Sequence, residues 1–297
     1  MHGLRRDFLA ALAGLALAAC APAPAPAQQA AAEPALWRIH DGDSEIWLFG
    51  TAHVLGEDVR WQGPRLQAAL AAADEIVTEM DTGPEATAEF QRVATELGTL
   101  PAGQTVFDGL TPQERARFER VVQRAGLQPA QFTQVRPWLA TLQISYAALS
   151  RQGETREHGA ETVLLAQGAG KRHSYFETPS EQVHILADLP LADQRRFMMA
   201  TLRQIEEDTA LTEALDAAWA RGDVAAMDRQ FNRDAHEAGP AVYEALIARR
   251  NRAWTERIVE RLNGSGHIFI AVGAAHLVGD DGVVAQLRRR GIEVEGP

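Results

Sequence analysis

Two histidines stand in matching frames near opposite ends of the chain. Residues 48–58 read LFGTAHVLGED and residues 271–281 read AVGAAHLVGDD. Aligned without a gap, Gly50, Ala52, His53, Gly56 and Asp58 match Gly273, Ala275, His276, Gly279 and Asp281. A pair of neutral imidazoles is a good start for a divalent-metal site. One such histidine could simply hydrogen-bond its own loop, but two in one frame point to a shared ligand. Carboxylates supply the second kind of group. Glu75–Asp81 reads EIVTEMD, a strand pattern in which alternation places Glu79 and Asp81 on one face. Burying two acids together is costly unless something positive sits between them, which a metal would do. The alternative is that both are solvated at a strand end. A third acid, Glu177, closes the strand-like run His173-Ser174-Tyr175-Phe176. Arg136 and the run Arg249-Arg250-Asn251-Arg252 are basic spots that could hold substrate carboxylates or serve structural ion pairs.

Each histidine frame sits in the same local context. An apolar strand run precedes it, Ile46–Phe49 or Ile268–Val272. A helical segment follows, Leu66–Ala72 or Val283–Arg290, and then a short strand, Glu75–Met80 or Ile292–Val294. The expected fold is therefore α/β: a central mixed sheet built from two pseudo-symmetric strand-GxxH-helix-strand halves, with a large helical middle region over about 84–262. In parallel α/β architecture ligands collect at the carboxyl ends of strands. A glycine there permits a sharp turn or a close approach. If the halves share one sheet, His53 and His276 face one another. A shared ion requires both rings on one side of the sheet and no more than about 10 Å apart.

The remaining elements have clear local signals. Leu36–Ile39 and Glu45–Phe49 flank Asp41-Gly42-Asp43 and read as a hairpin. In the middle region, Thr111-Pro112-Gln113-Glu114 and Thr178-Pro179-Ser180-Glu181 are capping boxes with proline at the first helical position. Trp138–Leu149, Arg195–Glu207, Thr212–Ala220 and Val242–Leu262 carry apolar residues at three- and four-residue spacing.

The amino-terminal stretch reads as a targeting segment. Arg5 and Arg6 precede an apolar run, Phe8–Ala19, that is too short to span a bilayer. Leu17-Ala18-Ala19-Cys20 has the pattern of a lipoprotein signal. The expected organisation is a leader over 1–19, lipidation at Cys20, an Ala/Pro-rich tether over 20–34 and one domain over 35–297. Arg5-Arg6-Asp7-Phe8-Leu9 also resembles a twin-arginine export motif, with the general secretory route as the alternative. The expected location is the bacterial cell envelope, facing the periplasm and held to the lipid bilayer through Cys20. With a single cysteine, disulfides, thiolate ligands and a cysteine nucleophile are excluded from the domain. A net charge of −11 argues against nucleic acid or an anionic membrane surface as partner.

At these residues the chain resembles the TraB/GumN family, which includes the Tiki proteases. The resemblance runs from about Leu36 to Glu295. It rests on Gly50–His53, Gly273–His276, the strand-borne Glu79 with Asp81, Pro137-Trp138, Glu177-Thr178, Arg250-Asn251, Gly291, and the Gly159-Ala160-Glu161 pattern. It implies a divalent-metal hydrolase, with peptide cleavage shown for Tiki members. His53, Glu79 and His276 would be the metal ligands. Glu79, Asp81, Glu161 or Glu177 would take the proton, and Arg136, Arg250 and Asn251 would bind a peptide or protein substrate. Histidine and carboxylate ligands suit Zn, Mn, Co or Fe, and folding before export would favour Mn. The alternative on the same fold is a non-catalytic lipoprotein that captures a peptide or haem, since related folds include erythromycin esterase-like hydrolases and haem-binding lipoproteins.

Overall fold

A computed structural model of the chain describes residues 33–207 and 211–297. The expected leader with Arg5 and Arg6, the lipidation residue Cys20, and all but the last two residues of the expected tether lie outside the described residues.

The organising element is a five-stranded sheet in the order β1-β2-β5-β3-β4. Strand β1 (Leu36–His40) and strand β2 (Ser44–Thr51) form the expected antiparallel hairpin. Its turn is held by the Asp41 carboxylate, which accepts the backbone N–H of Asp43 and Ser44. Strand β5 (Gly266–Gly273) lies between β2 and β3 (Glu75–Met80), parallel to both, and β4 (Arg172–Glu177) extends the parallel part beyond β3. Ile268–Gly273 is buried throughout, as expected for a central parallel strand covered on both faces.

The two histidine frames thus lie side by side on neighbouring strands. Their pairing is offset by one residue from the sequence alignment, with Gly50 opposite Val272 and Thr51 opposite Gly273. The halves also end differently. In the first, helix α1 (Pro64–Ala72) leads into β3. In the second, α12 (Val283–Arg289) leads to a single antiparallel bridge between Glu295 and Arg38 rather than to the strand expected at Ile292–Val294. The Glu295 N–H and C=O each bond Arg38, its carboxylate meets Arg38 and His40, and the Pro297 carbonyl accepts Trp37 Nε1–H.

The helical middle consists of α2 (Pro84–Leu97), α3 (Pro112–Arg124), α4 (Pro137–Arg151), α5 (Ala160–Gln167), α6 (Pro179–Ala187), α7 (Leu191–Glu207), α8 (Leu211–Ala220), α9 (Val224–Ala238) and α10 (Pro240–Tyr243), followed by α11 (Arg249–Leu262). Both capping boxes form: the Thr111 and Thr178 hydroxyls accept the backbone N–H of Glu114 and Glu181. The expected Val242–Leu262 helix runs through a π turn at Glu244–Ala248 immediately before Arg250. Such turns are frequent at functional sites. The sheet core stacks Phe49 on Trp61 and packs Trp219 and Phe269 against Phe49. A separate core around Phe118, Ile144 and Met198 holds α3, α4 and α7 together.

One loop ties the helical region to the first histidine frame. After α4, Thr155 exchanges both backbone hydrogen bonds with Leu55, and the Ala160 N–H donates to Ala52. Glu154, at the start of this loop, is buried and faces Asp216 of α8. Burial and then the Asp216 charge raise its pKa to about 7, and burial raises Asp216 to about 6. A carboxyl whose folded pKa is raised favours folding while protonated. That contribution is present below the unfolded value and is lost as pH rises through the folded one. Glu154→Gln is therefore expected to raise Tm by a few degrees above about pH 8 and to leave it unchanged below about pH 4. Equal Tm shifts at both pH values would show that ionisation of Glu154 costs the fold nothing.

Candidate functional site

The carboxyl ends of four adjacent strands deliver the polar residues in order across the sheet. His53 follows β2, His276 follows β5, Glu79 is near the end of β3 and Glu177 ends β4. Two glycines let them converge. A Cβ on Gly50 would lie 2.9 Å from the Ala274 Cα, so the two frames pack backbone against backbone. A Cβ on Gly273 would lie 3.1 Å from Glu79 Oε1, 3.3 Å from His53 Nε2 and 3.6 Å from His276 Cδ2. These three side chains therefore surround one small cradle above Gly273. Both rings are on the same side of the sheet, and no two of the three atoms are farther apart than twice 3.6 Å.

His276 is 5% exposed and its tautomer is set by its neighbours. Asn251 Nδ2 donates to the Asp281 carbonyl, so Asn251 Oδ1 is an acceptor, and His276 Nδ1–H donates to it at 2.6 Å. The lone pair of His276 Nε2 then accepts from Arg250 Nη1 at 2.9 Å. Trp254 packs beside the imidazole, tilted by 48° with ring centroids 4.4 Å apart. Burial pushes the His276 pKa down to about 3, so the ring is neutral at physiological pH. Arg250 also bonds Glu79 at 2.6 Å and both oxygens of Glu177 at 2.8 Å. Burial alone would raise the Glu79 pKa, but the Arg250 charge and then the His276 and His53 interactions and the Gly273 N–H hold it well below the usual carboxylate range.

His53 is different. Its side chain is 63% exposed, and its Nδ1–H donates to Glu161 Oε1 at 2.6 Å. Thr51 donates to the same oxygen. The Glu161 charge raises the His53 pKa to about 9 against the opposing effect of burial, a rise that solvent screening at so exposed a ring tempers. Without another cation present, His53 therefore carries a proton at neutral pH.

The expected residues His53, Glu79, Glu161, Glu177, Arg250, Asn251 and His276 thus form one connected cluster. Asp81 does not join it. Strand β3 ends at Met80, so alternation no longer governs the next residue; the Asp81 carboxylate instead accepts the Gly83 N–H at the start of α2. Arg136 stays at the N-terminus of α4, where its N–H donates to Gly98, and no hydrogen bond or ion pair links it to the cluster among the described residues. Arg250 is present but is no free binder of substrate carboxylates, because it is 8% exposed and its Nε, Nη1 and Nη2 are all engaged. Gln182, Thr51 and Trp254 are additional members. Gln182 bonds Glu177 at 2.6 Å, and Trp254 Nε1–H donates to Glu177 at 3.1 Å. Trp254 could have been found from its spacing, one helical turn beyond Arg250. Gln182 and Thr51 carry no comparable signal.

Several features of the cluster fit a cation. Both histidines bond a fixed acceptor through Nδ1 and turn Nε2 inward, the usual arrangement behind a metal-ligating histidine. Glu79, Glu161 and Glu177 outnumber the one guanidinium by two, and a proton on His53 covers only one of those two charges. Arg250 is itself a cation held by two of these carboxylates and His276. With Arg250 in place, His53 Nε2 and Glu79 Oε1 are the atoms open to an ion, while His276 Nε2 is occupied. Accordingly no group of three His, Cys, Asp or Glu side chains stands ready to hold a metal ion among the described residues.

Gly273→Ala separates fold from site. Gly273 has an ordinary φ of −50°, and the added methyl would meet only side-chain tips. The variant is expected to fold with a Tm within a few degrees of wild type; if the cradle holds a cation, added Mn or Zn should raise the Tm of wild type and leave that of the variant unchanged. Gly50→Ala, which meets backbone, is expected to lose about 1–3 kcal/mol of stability. A Gly273→Ala protein that responds to metal like wild type would show that the cradle is not the binding point.

No curated protein and no solved structure matches this chain. A sequence model of the TraB/PrgY/gumN family matches residues 35–296, the whole of the domain that carries the sheet and the cluster. The chain belongs to the TraB/PrgY/gumN family.

Proposed function

We propose that this protein is a divalent-metal-dependent hydrolase that cleaves peptide bonds. The observation behind this reading is the convergence of His53 Nε2, Glu79 Oε1 and His276 on the Gly273 cradle, with a carboxylate surplus around it. His53 and Glu79 would hold the metal, and His276 would join them once Arg250 releases Nε2. A bound Zn, Mn or Co ion supplies Lewis acidity and lowers the pKa of its water. Glu161 holds the His53 ring in orientation through Nδ1, and Asn251 does the same for His276. Glu79 Oε1 faces the cradle and would hold the metal, so Oε2, now held by Arg250, would be the oxygen to accept a released proton. Because Glu79 is strongly acidified, proton uptake depends on Arg250 loosening its grip.

The test is metal content and peptide turnover of the protein purified after export. His53→Ala, Glu79→Ala and His276→Ala are each expected to lower metal occupancy and to cut turnover on the order of a hundredfold or more. Their effects should not add, since one lost ligand already disables a small site. Full metal occupancy in His53→Ala and Glu79→Ala would overturn the reading. A Soret band in place of metal-restored turnover would identify a haem binder instead.

We further propose that the domain is a periplasm-facing lipoprotein, anchored through Cys20 and exported by the twin-arginine or general secretory route. Among the described residues no helix is long and apolar enough to cross a membrane. Cys20→Ser is therefore expected to move the protein from the membrane to the soluble fraction. Retention in the membrane after a salt wash would count against the anchor.

A further inference from the structure

The loop that supports His53 also carries an arginine with no acidic partner among the described residues. Arg156 is exposed, and among the described residues it forms no ion pair, although the protein has 40 acidic residues and a net charge of −11. Its guanidinium lies 5.7 Å from the Tyr146 ring centroid, within cation–π range. Tyr146 is 44% exposed and Leu142 37% exposed, and these are the exposed large hydrophobic side chains among the described residues. They stand one turn apart on α4, so they form a short apolar ledge beside the cation. The loop that carries Arg156 adjoins the cluster. Arg156 C=O accepts the Gly159 N–H at 3.1 Å, and a Cβ on Gly159 would overlap the His53 carbonyl, so backbone packs directly on backbone. The Arg156 charge also reaches the His53 imidazole, where it opposes the effect of Glu161. Arg250, by contrast, is saturated, which leaves Arg156 as a cation able to meet an incoming anion at this edge.

We infer that Arg156, Tyr146 and Leu142 form a substrate subsite at the His53 edge, which takes a peptide carboxylate on the guanidinium and an adjacent apolar side chain on the ledge. The inference rests on the peptidase reading for its place in catalysis, but not for binding. The carboxylate has two possible sources, a free C-terminus or an Asp or Glu side chain, and both present the same planar anion to the guanidinium fork.

The experiment measures fluorescence anisotropy of short labelled peptides with the full mature chain. One peptide ends in Leu-Phe with a free carboxylate, a second is its C-terminal amide, a third is an amide with Asp beside the Phe, and a fourth replaces that Asp by Asn. Arg156→Gln is expected to weaken binding of the acid-bearing peptides roughly threefold to tenfold, and Arg156→Lys less. The amide and Asn peptides should bind wild type and Arg156→Gln alike. Tyr146→Ala should weaken all peptides that carry the Phe. Arg92→Gln, on the exposed face of α2, serves as the control and should change nothing. Loss of affinity on amidation assigns the C-terminus, and loss on Asp-to-Asn replacement assigns the side chain. Where peptides are cleaved, Arg156→Gln should raise KM and leave kcat unchanged. The subsite is overturned if Arg156→Gln and Tyr146→Ala bind the acid-bearing peptides as wild type does, or if wild type binds none of the peptides. Arg156-dependent binding without any turnover would retain the subsite and overturn the peptidase reading alone.

Discussion

The structure of the site depends on one guanidinium. Arg250 is buried, reaches Glu79 and Glu177 at 2.6–2.8 Å and caps the Nε2 of His276. Without it, two nearly buried carboxylates would face each other across β3 and β4, and an uncompensated buried charge costs about 3–5 kcal/mol. The π turn before Arg250 and the stacking of its guanidinium over Trp254, 4.6 Å from the ring centroid, set the position of that charge. Asn251, the next residue, fixes the His276 tautomer. A short stretch of α11 therefore determines both the charge balance of the site and the direction in which one imidazole presents its lone pair.

On the metal-dependent reading proposed above, the same contacts would make the site responsive to an incoming cation. Arg250 balances part of a surplus of negative charge, and a proton on His53 balances more. A divalent ion would compete with both, so its binding releases a proton from His53 and weakens the hold of Arg250 on Glu79. The two histidines, alike in sequence, have separate tasks. His53 is exposed and basic, with Glu161 behind it, whereas His276 is buried, neutral and packed against Trp254. The difference comes from the one-residue offset between the frames and from the turns that follow. Ala274–His276 coils back into the core, while His53 continues into a surface loop.

Much of the fold was legible in the sequence. The repeated Gly-x-Ala-His frame, the apolar runs before it, the hairpin turn and both capping boxes are local signals, and each acts within a few residues of itself. Glu79, Glu177, Arg250 and Asn251 were recognisable as chemically able residues for the same reason, and Glu161 through the family resemblance. Asp81 stands outside the hydrogen-bonded cluster because strand alternation holds only while the strand lasts, and after Met80 the chain turns toward α2.

What the sequence by itself determined was therefore the set of reactive residues and the strand ends that carry them. Only the tertiary structure decided their pairing. Strand order brings β5 between β2 and β3, and this places Glu79 beside Gly273 rather than beside its sequence neighbours. Arg250 reads in the sequence as either a substrate-binding or an ion-paired arginine, and its burial between two carboxylates places it in the second arrangement. The physical reason is that hydrogen-bond and capping preferences act over one turn of chain, whereas charge balance in a desolvated site depends on residues brought together from distant segments.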